Sequence, residues 1–343
     1  MADAAWKPQL LGIFIRMYEK FYGLTEKPFS LLPDPDFLVL GKKHSAAYTA
    51  LEYGLLSQAG FTVVTGEVGS GKTTLIRHLL NQVEEDVTVG LVSSSHQEMG
   101  ELLQWLLFAF NLDYTETQKV GLYDIFTKFL IDQYADNRRT VLIIDEAQNL
   151  QAGVLEELRL LSNINADKHQ VLQIILVGQP QLRALLTHRD LLQFQQRISV
   201  DYHLQGLDED ETRFYIFQRL TIAGRKDPLF TRNAITLIYQ ASEGIPRIIN
   251  TICDTSLVYG FADQKTLLDS ALVAKVLKDK FEAVANQTGV VEDSTGAHAI
   301  YPYNQESSQD PERKQEVNKR GHSVTNFNRE AAKLMFKKYN NEK

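Results

Sequence analysis

Between Gly66 and Thr73 the chain reads Gly-Glu-Val-Gly-Ser-Gly-Lys-Thr. This is the spacing G-x-x-x-x-G-K-[ST] of a phosphate-binding P-loop. Gly66, Gly69 and Gly71 let the backbone take conformations that a Cβ forbids, so successive N–H groups can converge on phosphate oxygens. The cradle therefore comprises Gly66, Glu67, Val68, Gly69, Ser70, Gly71, Lys72, Thr73 and Thr74. Lys72 brings a cation to the β- and γ-phosphates, and the Thr73 hydroxyl can ligate Mg²⁺. A second pair with chemistry, Asp145-Glu146, ends the apolar run Val141-Leu142-Ile143-Ile144. In open α/β sheets ligands bind beyond the carboxyl ends of strands. Asp145 is expected to hold Mg²⁺, directly or through water, and Glu146 to polarise the attacking water. The alternative is a pair that caps the next helix. The cofactors implied are ATP and Mg²⁺.

The elements around these residues must position them. Residues 61–65 form a β-branched and aromatic run between Gly60 and Gly66, which reads as a buried parallel strand. Beyond the loop, Leu75, Ile76, Leu79, Leu80 and Val83 recur at helical spacing. That helix directs its positive end at the phosphate site. Further strands are expected at 87–92, 141–144 and 171–177, with an alternating edge strand at 198–204. Helical patterns lie between them at 98–110, 122–134, 154–163 and 182–194. Unbroken apolar strands alternating with helices predict a parallel five-stranded sheet covered on both faces, an α/β sandwich.

After Leu204 the strands stop. Helices are expected at 209–223, 232–241, 247–261 and 270–281, the first opened by Leu207-Asp208-Glu209-Asp210 with its early carboxylates. From about Ala285 polar residues dominate, which predicts a disordered tail ending in a short helix at 331–336. The expected domains are an extension over 1–16, a nucleotide-binding α/β domain over 17–206, a helical lid over 207–284 and the tail over 285–343.

The chain has 343 residues, 44% hydrophobic and 23% charged, as in ordinary globular proteins. Its one cysteine, Cys253, excludes an internal disulfide framework. A net charge of -7 weighs against non-specific nucleic-acid binding over the whole surface. No stretch reaches the roughly 18–20 apolar residues of a membrane span. Residues 10–15 lack the pattern of a signal peptide. The expectation is a cytoplasmic protein, with a peripheral position at the inner membrane as an option. Met17 is a candidate second start.

Three more polar residues fall near strand ends. Gln179 ends the third apolar strand, where a water or γ-phosphate is within reach; the alternative is a turn residue before Pro180. Arg197 precedes the last strand and could serve a neighbouring subunit as an arginine finger. Arg247, in Gly244-Ile245-Pro246-Arg247, could reach the γ-phosphate from the lid. For both arginines the alternative is a solvated surface charge.

These motifs, in this order, resemble an AAA+ ATPase. Met17-Tyr18-Glu19-Lys20-Phe21-Tyr22-Gly23-Leu24, Pro28-Phe29, Pro33-Asp34-Pro35-Asp36-Phe37-Leu38, His44 and Leu51-Glu52-Tyr53-Gly54-Leu55 resemble the ExeA/GspA-type ATPases of bacterial general secretion. Asp145-Glu146-Ala147-Gln148 and Gly178-Gln179-Pro180 fit too. The similarity covers residues 17–281, and within the family it looks closest to ATPases encoded with exosortase (PEP-CTERM) and exopolysaccharide systems. It implies a P-loop NTPase αβα sandwich with a parallel five-stranded sheet and a small all-helical AAA+ lid. It also implies that residues 29–44, His44 included, approach the adenine and ribose. Read alone, His44 is a helix-start residue beside Ser45. Secretion-type members continue into a transmembrane segment and a periplasmic domain, whereas residues 285–343 here are polar.

The resemblance implies a Mg²⁺-dependent ATPase acting as a head-to-tail homo-oligomer, a ring or a helix, with protein partners in an envelope export, exopolysaccharide or secretion system. The alternative is a DNA-associated AAA+ regulator of the transposition type. Net acidity and the lack of a recognisable helix-turn-helix weigh against nucleic acid without excluding it. A third class is a nucleotide-binding scaffold without turnover, against which Lys72, Asp145 and Glu146 all stand.

Overall fold

Five parallel strands form the central sheet of the computed structural model, which describes residues 17–31, 37–83, 86–93, 101–115, 118–166 and 169–288. In chain order the elements begin with α1 (Met17–Tyr22), α2 (Lys42–Leu56), β1 (Phe61–Gly66), α3 (Lys72–Leu80) and β2 (Val87–Ser93). Next come α4 (Leu102–Ala109), α5 (Lys119–Ala135), β3 (Arg139–Asp145) and α6 (Ala152–Leu161). A hairpin of two-residue strands, Asn165–Ala166 with His169–Gln170, precedes β4 (Leu172–Gly178). Then follow α7 (Pro180–Leu186), α8 (Leu192–Gln195) and β5 (Ile198–Leu204). The helical part is α9 (Glu209–Ile222), α10 (Arg232–Ser242), α11 (Pro246–Ala262) and α12 (Ser270–Thr288).

The sheet order is β2-β3-β4-β1-β5 and every neighbouring pair is parallel. All five strands therefore end on one side, and β1 delivers the phosphate loop from between β4 and β5. Alternate residues face opposite layers, as the pleat requires. Val63, Leu142, Ile144, Ile174 and Leu176 pack with Leu106, Phe126, Leu130, Leu158 and Leu182 from α4 to α7. Val64, Val141, Ile143, Ile175 and Val177 pack with Leu51 of α2 and Leu75 and Leu79 of α3. Burial on both faces explains the unbroken apolar runs 141–144 of β3 and 174–177 of β4; each such side chain contributes roughly 1.5–3 kcal/mol. The expected α/β sandwich, its parallel five-stranded sheet, the edge position of β5 and the helical region after it are all present.

Several elements differ from expectation. The single helix expected over 182–194 is three pieces: α7, a tight turn at Arg189–Leu191, and α8. Leu182, Leu186, Leu191 and Phe194 are all buried. The five-residue step from Leu186 to Leu191 does not fit one helical stripe. Extended backbone at His188 resets the phase and returns Leu191 and Phe194 to the core. Helix α12 continues to Thr288, past the expected start of the tail at 285. The rest of that tail, its short helix at 331–336 and the extension 1–16 lie outside the described residues, as do residues 32–36 and 94–100.

The amino-terminal segment packs away from the α/β unit with which the sequence groups it. Tyr18, Tyr22, Leu24, Phe29 and Phe37 share one core with Ile216, Leu220, Ile238, Ile249, Ile252 and Val273 of the helical region. Tyr18 donates to Asp254 Oδ1 at 2.7 Å, Tyr22 to the Lys265 carbonyl at 3.1 Å, and the Thr25 N–H to the Ala223 carbonyl at 2.8 Å. Both faces of the sheet are already covered, so these aromatics complete the open side of α9–α12. No helix among the described residues is long and apolar enough to cross a membrane.

Candidate nucleotide site

The phosphate loop leaves β1 at Gly66 and enters α3 at Lys72. Gly69 (φ 80°) and Gly71 (φ 98°) hold left-handed backbone, which other residues avoid. Gly66 is required for a different reason: a Cβ there would lie 2.7 Å from the Leu204 carbonyl oxygen and 2.9 Å from Ser70 Oγ. Two of the three glycines thus supply conformation and the third supplies space.

Lys72 is buried, and its Nζ donates to the carbonyls of Gly66 at 2.8 Å and Glu67 at 2.9 Å. Burial pushes its pKa down, against the pull of Glu146, Asp145 and Glu67. Thr73 Oγ1 donates to Asp145 Oδ2 at 2.9 Å, while Asp145 Oδ1 accepts the Glu146 N–H at 2.9 Å. A hydroxyl and a carboxylate at this separation are a hard-oxygen pair that fits Mg²⁺, which uses one or two protein ligands and completes its shell from phosphates and water.

Glu146 adopts left-handed backbone, φ 55° and ψ 36°, at the turn out of β3. Non-glycine residues held this way concentrate at functional sites. Its Oε2 accepts from Gln179 Nε2 at 3.2 Å and from Gln148 Nε2 at 2.6 Å. Gln179, at the end of β4, opens α7 and is followed by Pro180 in the first helical turn. The polar end of β4 therefore meets the polar end of β3.

The helical region closes the cleft from the other side. Arg247, at the start of α11, donates its backbone N–H to the Gly69 carbonyl at 3.2 Å. A Cβ added at Gly69 would sit 2.4 Å from the Arg247 Cβ, so Gly69 also makes this close approach possible. The cleft has a volume of about 320 Å³ and runs from Lys72, Thr73, Glu146 and Gln179 to Phe37, Leu38, Tyr215, Arg219 and Asn250. At the inner end Arg219 is buried, donates to the Pro28 carbonyl and the Tyr215 hydroxyl, and lies 4.9 Å from the Phe37 ring centroid. Tyr215 donates to Asn250 Oδ1 at 3.0 Å.

His44 also lines the cleft and is only 5% exposed. Its Nε2 lies 2.8 Å from the Ser70 carbonyl, which assigns the proton to Nε2. Its Nδ1 is buried with no hydrogen-bond partner among the described residues. Burial pushes the imidazole pKa below its ordinary value, against the Ser70 bond and the charge of Glu211.

The structure thus brings Lys72, Thr73, Asp145, Glu146, Gln179, Arg247 and His44 to one cleft, and leaves Arg197 apart from them. Arg197 precedes β5 at the end of the strand away from the phosphate loop, and its Nη1 donates to Ser162 Oγ at 3.1 Å. Sequence reading assigned no role to Tyr215, Arg219 or Asn250. They lie on α9 and α11, more than a hundred residues from the loop, and only the pattern of polar residues on buried helical faces marked them. Gln148 was within the quoted motif but carried no role.

The AAA domain family matches residues 55–186. General secretion pathway protein A of Aeromonas hydrophila is 40% identical over 247 residues, which are 72% of this chain and 45% of that protein. The ATP-dependent target DNA activator B of Escherichia phage Mu is 29% identical over 146 residues, 43% of each chain. The chain spans less than half the length of these curated relatives. Among solved structures, the Aeropyrum pernix ORC2 protein in its ADPNP–ADP complexes gives a TM-score of 0.55 at 21% identity, covering 73% of this chain and 71% of that one. The Aeropyrum pernix ORC1 protein in complex with DNA gives 0.54 at 15% identity, covering 77% and 72%. At such identities the likeness speaks for the fold. With the phosphate loop ending β1, paired carboxylates ending β3 and a helical region after the sheet, the chain has the P-loop AAA fold and carries an AAA domain over residues 55–186.

Proposed function

We propose that this chain is an ATPase of the general secretion (ExeA/GspA) type that binds ATP with Mg²⁺ and hydrolyses it within a head-to-tail oligomer. One observation carries the reading: Lys72, Thr73, Glu146, Gln179 and Arg247 line a single cleft, with Asp145 bonded to Thr73 at its edge. Phosphoryl transfer needs positioning and charge neutralisation more than covalent help, and this set supplies both. Lys72 turns from the Gly66 and Glu67 carbonyls to the β- and γ-phosphates. Thr73 and Asp145 would hold Mg²⁺, which supplies further neutralisation of phosphate charge. Glu146 polarises the attacking water, Gln179 contacts it or the γ-phosphate, and Arg247 approaches from the lid. Arg197 serves the neighbouring subunit's nucleotide. His44 and residues 37–39 border the base and ribose.

The biological setting we propose is supported by likeness to general secretion pathway protein A over 72% of the chain. The role we propose is a motor or switch for bacterial envelope export, more narrowly an exosortase (PEP-CTERM) and exopolysaccharide system, with proteins of that system as partners. The proposed place is cytoplasmic, peripheral at the inner membrane, because turnover draws on the cytoplasmic nucleotide pool. Finding exosortase and glycosyltransferase genes beside this one would support that narrowing, and finding a transposase gene there would oppose it.

The test is nucleotide binding and turnover in two variants. Lys72→Ala should lose ATP binding. Glu146→Gln should keep binding, lose hydrolysis and form ATP-dependent oligomers visible by light scattering. Wild-type turnover by Glu146→Gln refutes the assignment of Glu146, and a monomer at micromolar concentration with ATP bound refutes the oligomer. A second reading, a DNA-associated activator, is favoured by the 29% identity to target DNA activator B over 146 residues. Turnover stimulated by duplex DNA would select it.

A further inference from the structure

We infer that Gln148 is a positioning residue for Glu146, the donor that holds its carboxylate in place while ATP is hydrolysed. The inference rests on the ATPase reading above. Gln148 lies in the tight turn Ala147–Asn149 that follows Glu146. Its side-chain amide is engaged at both ends. Oε1 accepts the backbone N–H of Gln179 at 2.9 Å, and Nε2 donates to Glu146 Oε2 at 2.6 Å. The partners fix its orientation. A backbone N–H can only donate, so Oε1 must face Gln179, and Nε2 is left facing the carboxylate.

Gln179 contacts the same carboxylate oxygen, but its side chain is held differently. Its Nε2 makes the longer bond, 3.2 Å, and Gln179 lines the cleft where a γ-phosphate would compete for it. Gln148 stands outside the cleft lining, tied to the end of β4. When Gln179 turns to phosphate, Gln148 remains as the donor to Glu146. Gly178 gives a second sign that the amide has a reserved place. A Cβ there would lie 2.9 Å from Gln148 Oε1 and 3.2 Å from its backbone nitrogen. Glu146 is on left-handed backbone and its carboxylate must meet a water within a few tenths of an ångström. A misplacement of about 1 Å costs on the order of 100-fold in rate.

The rival explanation is that Gln148 only ties the turn to β4. Gln148→Glu separates the two. The variant is nearly isosteric and keeps an acceptor for the Gln179 N–H, but sets a carboxylate oxygen against Glu146. The experiment measures kcat, KM and ATP affinity for the full chain. The expected result for Gln148→Glu is kcat lower by about 10- to 100-fold, with ATP affinity within about twofold of wild type. Gln148→Met, uncharged and without a donor, should show the same split; because it also frees the Gln179 N–H, it serves to refute the role if the glutamate variant folds poorly. In a Glu146→Gln background, Gln148→Glu should cost nothing further. Wild-type kcat in either folded variant overturns the role of Gln148 and leaves the ATPase reading standing. A wild-type chain that binds ATP but never hydrolyses it, at any concentration, overturns the ATPase reading and this role with it.

Discussion

Replacing Arg197 by alanine and mixing the product with a Lys72→Ala chain separates a cation that serves the neighbour from one that serves its own site. Strand β5 runs from Ile198 to Leu204, and only its far end packs against Gly66. At about 3.3 Å per residue, Arg197 stands about 20 Å from the phosphate loop of its own chain, beyond the reach of an arginine side chain. It can act only across a head-to-tail interface. Removing a finger costs about 10³–10⁵ in rate, so Arg197→Ala alone should fall to about a thousandth of wild type or less. Lys72→Ala alone should be inert. In an equal random mixture, about one quarter of interfaces join an intact phosphate loop to an intact Arg197. Turnover should therefore recover to about a quarter of wild type, a rise of more than about 100-fold. The fold should tolerate the change. Arg197 gives up one bond to Ser162 Oγ, and that hydroxyl still donates to the Arg159 carbonyl at 2.7 Å, so the cost is about 1 kcal/mol. The same mixture made with Arg247→Ala should recover nothing, because the Arg247 backbone N–H on the Gly69 carbonyl seats this residue, and the side chain it would lose, at the phosphate loop of its own chain. The assay is phosphate release after mixing, with co-assembly checked by light scattering. Absence of rescue for Arg197→Ala in co-assembled protein refutes the reasoning and leaves Arg197 a partner of Ser162. The search then moves to Arg183, Arg189 and Arg213.

Two further perturbations test the cleft. Gly69→Ala forces left-handed backbone on a side chain, at about 1–2 kcal/mol. Its Cβ also falls 2.4 Å from that of Arg247, so α11 must shift and ATP affinity should drop at least about tenfold. Nucleotide titration at wild-type affinity would show that the lid contact is dispensable. His44 titrates below its ordinary value of 6.5 because it is buried, with Glu211 pulling it up and Lys43 pushing it down. Between that ordinary value and the lower folded one the unfolded chain binds the extra proton, so stability falls as pH is lowered through this window, by up to about 1.4 kcal/mol per pH unit. Thermal unfolding at several pH values should show this slope, and His44→Gln should flatten it. An unchanged slope in the variant would place the proton uptake elsewhere.

What the sequence disclosed was local, and what it hid was distant. Gly66–Thr73 and Asp145-Glu146 are read from contiguous residues, and the apolar runs of β1, β3 and β4 have no competing interpretation because both faces are covered. The three glycines of the loop were given one shared reason, but Gly66 answers to the Leu204 carbonyl, a contact made across strands. The 182–194 segment is apolar at nearly helical intervals, and only the five-residue step at Leu186–Leu191 signals the break. Met17–Tyr22 carried a family signature without a structural meaning, since its tyrosines are explained by Asp254 and Lys265. Gln148 sits two residues from Glu146, and the bond that fixes it comes from Gln179, just past the end of another strand.

The joining of the first described segment to the helical region bears on how the molecule is made. Tyr18 and Asp254 are 236 residues apart, and Tyr22 and Lys265 are 243 apart. Closing such separations is entropically costly and slow, and chains emerge amino terminus first. The aromatics of the first segment must wait, without a core of their own, until α11 and the loop after it have been synthesised. The sheet and its phosphate loop can form well before that. The wall of the cleft built by Phe37, Tyr215, Arg219 and Asn250 is the last part to close, so a nascent chain carries a formed phosphate loop before it has a complete nucleotide pocket. A nucleotide present during synthesis would bind the finished end of that pocket first and favour the late docking of the amino-terminal segment and the helical region.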